Sequence, residues 1–105
     1  MVKALKTFEE FNEEIKKDSL VVVDFTASWC PPCQFIKPKY HDLSKEAEHD
    51  TVSFCEVDVD ENEKACEVAN IQCMPTFHFY KNGAMIAKME GADFDDLIKK
   101  VKQYK

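Results

Sequence analysis

The chain has 105 residues, a formal charge of −6 from 20 acidic and 14 basic side chains, and five cysteines. A domain takes roughly 100–200 residues, so this length fits a single domain over residues 1–105 and leaves no room for a separate cofactor domain. An apolar share of 45%, with 11% aromatic residues, excludes a disordered chain. Every basic side chain is lysine; an acidic chain without arginine lacks the bidentate reader of phosphates and base edges, which argues against nucleic acid as a partner.

The stretch from Met1 to Asp18 is broken by Lys3, Lys6, Glu9, Glu10, Glu13 and Glu14 and lacks the apolar core of a secretory signal. The longest aliphatic run, Leu20 to Val23, is far shorter than the ~20 residues of a membrane helix. The expectation is a soluble, unexported chain with no membrane partner. An odd number of cysteines cannot all pair within one chain, and in a reducing cytosol none need pair.

Along the chain, Val2 to Lys6 reads as a short edge strand. Thr7 then starts a helix as its N-cap, with Glu10 three residues on as capping-box partner and Phe8, Phe11 and Ile15 on one face. Leu20 to Thr26 is continuously apolar and valine-rich apart from Asp24, as suits a central strand covered on both sides. Cys30 to Ala47 turns helical, with Ile36, Tyr40, Leu43 and Ala47 in step and a kink expected at Pro38. Val52 to Val59 is the next strand, and Glu61 to Val68 a short polar helix. Thr76 to Lys81 and Ala84 to Met89 form a hairpin around Asn82-Gly83, a dipeptide that tolerates positive φ at both turn centres. Asp93 caps a last helix carrying Phe94, Leu97, Ile98 and Val101. The order β-α-β-α-β-α-β-β-α predicts an α/β fold, a mixed sheet of about five strands covered by helices.

Cys30-Pro31-Pro32-Cys33 lies where the central strand meets the long helix. Cysteines at i and i+3 of a first turn come within bridging range, and Pro32 has the backbone φ favoured there. The helix dipole and free N–H groups favour a thiolate, so Cys30 should be a low-pKa, exposed thiol with a partner in reach, which is the arrangement for dithiol–disulfide exchange. The competing reading is half of a zinc site. Zinc wants four ligands, yet Cys55, Cys66 and Cys73 form no second close pair and His41, His49 and His78 are scattered. Redox chemistry is favoured over zinc and over an inert structural pair, and no metal is expected. Asp24, six residues before Cys30, is costly to bury ionised. Buried, it would have a raised pKa, partly opposed by Lys37, and could relay a proton to or from Cys33 through water; at an outward kink or strand end it would do neither.

These residues carry a family resemblance. Val21-Val22-Val23-Asp24-Phe25, Trp29-Cys30-Pro31-Pro32-Cys33 with Lys37-Pro38, Cys73-Met74-Pro75-Thr76-Phe77, Asn82-Gly83 and Gly91 together resemble thioredoxins over essentially the whole chain. The resemblance implies the thioredoxin fold, about five strands flanked by four helices, and a protein-disulfide reductase. Cys30 would attack a substrate disulfide, and the more buried Cys33 would resolve the mixed disulfide. Asp24, assisted by Lys37, would move the proton. Pro75 would be cis and present the Met74 backbone to an extended substrate, with Trp29, Pro31, Pro32, Met74, Pro75, Gly91 and Ala92 as the substrate-binding rim. An NADPH-dependent thioredoxin reductase would regenerate the dithiol, so no cofactor would be bound. The implied substrate partners are peroxiredoxins, methionine sulfoxide reductases and ribonucleotide reductase, in the cytoplasm with the nucleus as a second location. The runners-up are a tryparedoxin- or nucleoredoxin-like oxidoreductase and a redox-controlled interaction module. The second proline is a departure, since most thioredoxins have glycine where Pro31 stands; it removes a donor and stiffens the turn.

The remaining cysteines divide by position. Cys73, next to Met74-Pro75, matches a position where some animal thioredoxins form an intermolecular disulfide, implying a regulatory role or a homodimer; exposure without activation is the alternative. Cys55, beside Phe54 and Val57, reads as a small buried hydrophobe, and Cys66 has no assigned role. Asp58, Asp60 and Asn62 imitate the start of a calcium loop, but the sixth and twelfth positions, Glu63 and Ala69, break the template. Phe77, Phe79 and Tyr80 are read as hairpin core.

Overall fold

A computed structural model describes all 105 residues. Its strands are β1 (Lys3–Ala4), β2 (Val21–Thr26), β3 (Ser53–Asp58), β4 (Thr76–Lys81) and β5 (Ala84–Glu90), and its helices α1 (Phe8–Glu14), α2 (Pro31–Ser44), α3 (Glu63–Val68) and α4 (Phe94–Tyr104). The strands form one sheet in the order β1-β3-β2-β4-β5. β3 runs parallel to both β1 and β2, while β4 is antiparallel to β2 and β5. The mixed sheet and four helices follow the sequence pattern element by element.

Strand β2 lies at the centre, and each of its residues is buried. Its pleat sends alternate side chains to opposite faces. Val21, Val23 and Phe25 join Phe11, Ile15, Cys55, Val57 and Tyr80 beneath α1 and α3, while Val22 joins Ile36, Tyr40, Phe54, Phe77, Phe79 and Leu97 beneath α2 and α4. The hairpin aromatics are therefore core as expected, but on both faces: Phe77 and Phe79 on one, Tyr80 on the other. Asn82 and Gly83 adopt φ of 53° and 82° at the turn.

Both N-caps form, without the return bond from the Glu10 carboxylate that would complete the capping box. Thr7 Oγ1 accepts from the Glu10 N–H, and Asp93 Oδ1 from the Asp96 N–H, at 3.1 Å each. Helix α2 runs through Pro38 but ends at Ser44, three residues short of the expected Ala47. There the Ser44 hydroxyl donates back to the His41 carbonyl at 2.6 Å, Glu46 is extended, and a 3₁₀ turn over Ala47–His49 follows. That turn buries His49 against Phe54, so burial of an imidazole overrides the helical spacing that pointed to Ala47.

Candidate active site

The C-terminal end of β2 leads through Ala27-Ser28-Trp29 into α2, and Cys30 is the N-cap of that helix. Pro31 and Pro32 fill its first two positions, where a backbone N–H would have no helical acceptor and φ is already set. Cys30 and Cys33 are joined by a disulfide, with Cα atoms 5.3 Å apart. In this form each sulfur is bonded to the other, as dithiol–disulfide exchange requires of its oxidised state. The Cys33 N–H donates to Cys30 Sγ at 3.3 Å. The second proline therefore leaves intact the donor that reaches this sulfur.

Cys30 was expected to be exposed. In the bridged form it is only 5% accessible, packed with Cys33, Ala27, Met74 and Val59, while Cys33 is fully enclosed. The order of accessibility is as expected; the degree is not, because Met74 comes in from the opposite side. The Met74–Pro75 bond is cis, and the Met74 carbonyl oxygen lies 3.8 Å from Cys30 Sγ.

Around the bridge, Trp29, Pro31 and Pro32 are exposed, Met74, Gly91 and Ala92 half-buried, and Pro75 buried. The indole of Trp29 is 62% exposed, yet its Nε1–H donates to Asp60 Oδ2 at 2.8 Å, which fixes the ring. Nothing in the local sequence of Asp60 points across to Trp29. Asp58 Oδ1 accepts from the backbone of Asp60 and Glu61, and Asn62 caps α3, so the calcium-like run serves the turn after β3.

Asp24 is 1% exposed on the α2 side of β2, which excludes the outward placement. Burial, and then the nearby charge of Glu56, push its carboxyl up to about 8, against the opposing Lys37 ammonium. Cys55 is buried and Cys66 half-buried, and burial pushes both thiols up to about 11. Cys73 is exposed, with its sulfur 3.8 Å from Thr76 Oγ1.

A mixed sheet with a bridged C-x-x-C pair capping the helix that follows its central strand is the architecture of a thiol–disulfide oxidoreductase. The thioredoxin family model matches residues 2–103. The chain is 48% identical to a thioredoxin of Geodia cydonium and 44% identical to one of Ictalurus punctatus, each over the full length of both chains. Among solved structures, the Malassezia sympodialis thioredoxin superposes with a TM-score of 0.95 at 37% identity, covering 98% of this chain and 92% of that one. The Plasmodium falciparum thioredoxin gives 0.93 at 39% identity, covering 99% and 100%. The chain belongs to the thioredoxin family and is a thiol–disulfide oxidoreductase.

Proposed function

We propose that the chain is a protein-disulfide reductase in which Cys30 is the nucleophile and Cys33 the resolving thiol. The observation that carries this assignment is the asymmetry of the bridge: Cys30 is the sulfur that caps the helix, accepts an N–H and keeps some access, and Cys33 is enclosed. The Cys30 thiolate, favoured by the helix N-terminus, attacks one sulfur of a substrate disulfide and expels the other. Cys33 then loses its proton to Asp24 and attacks Cys30 Sγ. The Cys30–substrate bond breaks, two electrons have passed to the substrate, and the second substrate sulfur leaves and is protonated. Lys37 assists by limiting how tightly Asp24 holds its proton.

Substrate docks on the rim of Trp29, Pro31, Pro32, Met74, Gly91 and Ala92, its backbone paired with Met74 like an added strand, while buried Pro75 sets the Met74 backbone beside the sulfur. Re-reduction by an NADPH-dependent thioredoxin reductase in a reducing compartment such as the cytosol completes the cycle, and exposed Cys73 is the thiol for regulatory or intermolecular pairing. The test is insulin reduction coupled to NADPH and a thioredoxin reductase. Turnover is expected with the native chain and is abolished in Cys30→Ser; Cys30→Ser with native turnover would overturn the assignment. Cys33→Ser is expected to accumulate the mixed disulfide.

A further inference from the structure

The face of the sheet beneath α2 is apolar except at one end. There Asp24 and Thr26 of β2 lie beside Glu56 and Asp58 of β3, their partners in register. Helix α2 covers them with Lys37, Tyr40 and His41. Six buried side-chain polar atoms in the whole chain have no hydrogen-bond partner within the protein. Five of them are here: both carboxylate oxygens of Asp24, Thr26 Oγ1, Glu56 Oε2 and His41 Nε2. So many unsatisfied buried groups in one place is not how a core is packed.

Two of these residues, Thr26 and Glu56, line a cavity of about 140 Å³ together with Ala4, Lys37, Asp58 and Glu61; Asp24 is the register partner of Glu56, and His41 faces it. A water occupies about 30 Å³ in the liquid, so the cavity is large enough for a short hydrated path with polar walls. His41 Nε2 is 3.6 Å from Glu56 Oε2, a gap too long for a direct hydrogen bond. The two side chains are 34% and 19% exposed, whereas Asp24 is closed off. Accessibility therefore rises in order from Asp24 to Glu56 to His41.

We propose that this cavity is the proton exit of the reaction: a proton taken from Cys33 by Asp24 leaves for solvent by way of Glu56 and His41. The inference rests on the reading of Asp24 as the acceptor of the Cys33 proton. Each resolving step leaves one proton on Asp24, and a carboxyl buried beneath α2 has no direct route to water. A carboxylate beside it and a partly exposed imidazole supply one, since each can accept a proton and pass it on. Tyr40 does not carry the proton, because its hydroxyl is committed to the Cys55 and Val22 backbone. Lys37, Asp58 and Glu61 set the charge around the path. Glu56 and His41 act through Asp24 and touch neither sulfur.

The test is stopped-flow oxidation of the reduced full chain by a peptide disulfide, followed by Trp29 fluorescence, across pH 6–9 in dilute buffer. The variants are Asp24→Asn, Glu56→Gln, His41→Ala and His41→Gln, each checked by urea unfolding to be fully folded under the assay conditions. General acid–base groups contribute about 10²–10⁴-fold. Loss of a relay member that solvent partly replaces should slow resolution about tenfold at pH 7, with the pH profile altered. Added imidazole should restore the His41→Ala rate and leave Asp24→Asn slow. If Asp24→Asn is slow while His41→Ala and Glu56→Gln match the native chain, or if His41→Ala is slow and imidazole has no effect, the exit path is overturned and the role of Asp24 stands. If Asp24→Asn resolves at the native rate, both fall.

Discussion

Asp24 is the residue whose placement changes most with folding. The unfolded chain releases this proton near the ordinary value of 3.8, whereas burial first and Glu56 second hold it in the folded chain until about 8. Between those values the folded state binds the additional proton, so its stability falls as pH rises through the window. Removing the charge should therefore stabilise: Asp24→Asn is expected to raise stability above pH 8 by several kcal/mol, at most about 6, while slowing resolution. Urea midpoints at pH 5 and pH 8.5 check this, and a variant as pH-sensitive as the native chain in this range would contradict it. The same substitution thus strengthens the fold and weakens the proposed chemistry, as expected for a charge kept for function. Asp24 was recognisable in the sequence as the one acid in a valine-rich strand. Its partner Glu56 was not, because an acid at every other position of a strand ordinarily reads as the solvent side.

At the scale of elements, α2 holds the site and is itself clasped to the sheet by one side chain. The Tyr40 hydroxyl donates its one hydrogen to the Cys55 carbonyl at 2.8 Å, lies 3.2 Å from the Val22 carbonyl and accepts the Cys55 N–H at 3.2 Å, thereby tying α2 to two adjacent strands. Tyr40→Phe keeps the ring, which stacks edge-on to Phe54 and Phe77, and removes the hydroxyl from backbone groups that the β2–β3 pairing also engages. A hydrogen bond contributes about 0.5–1.5 kcal/mol net, and a loss of stability of that size is expected from urea unfolding. A variant of native stability would mean that the hydroxyl clasp contributes nothing to the fold. Helix periodicity identified Tyr40 as core, but spacing cannot say that its hydroxyl bridges β2 and β3, since the strands it joins are brought side by side only by the fold. The α2 end point is a similar case: Ala47 keeps the helical step, and the chain leaves the helix because His49 is buried instead.

For the whole molecule, three buried ionisable groups set the pH range of stability. Burial works against ionised Glu14, but hydrogen bonds from Lys17, Ser53 and Lys3 outweigh it and hold the carboxyl down to about 2. Its contribution is present above the ordinary value of 4.5 and is lost as pH falls. His78, within β4, is lowered to about 4, first by burial and then by Lys88. The unfolded chain takes up that proton near 6.5, so stability rises with pH between about 4 and 6.5. There it opposes the fall from Asp24. The expected profile climbs from pH 2 to 4.5, is nearly level to 6.5, and declines toward 8. His78→Gln should move the start of the decline to about pH 4. A stability maximum at pH 8 in the native chain would refute this balance.

The sequence by itself determined the order of elements, their caps and turn, the pair Cys30 and Cys33 at the head of α2, and the family. Each of these depends on residues close together along the chain, where spacing and backbone preference act directly. Tertiary structure alone decided how far Met74 closes over Cys30, that Asp60 holds Trp29, and that Glu56 comes to lie between buried Asp24 and His41 at the edge of a cavity. Those contacts join residues distant in sequence, so no local spacing or backbone preference specifies them. The burial that makes an acid hold its proton is a property of that enclosure and of no single segment.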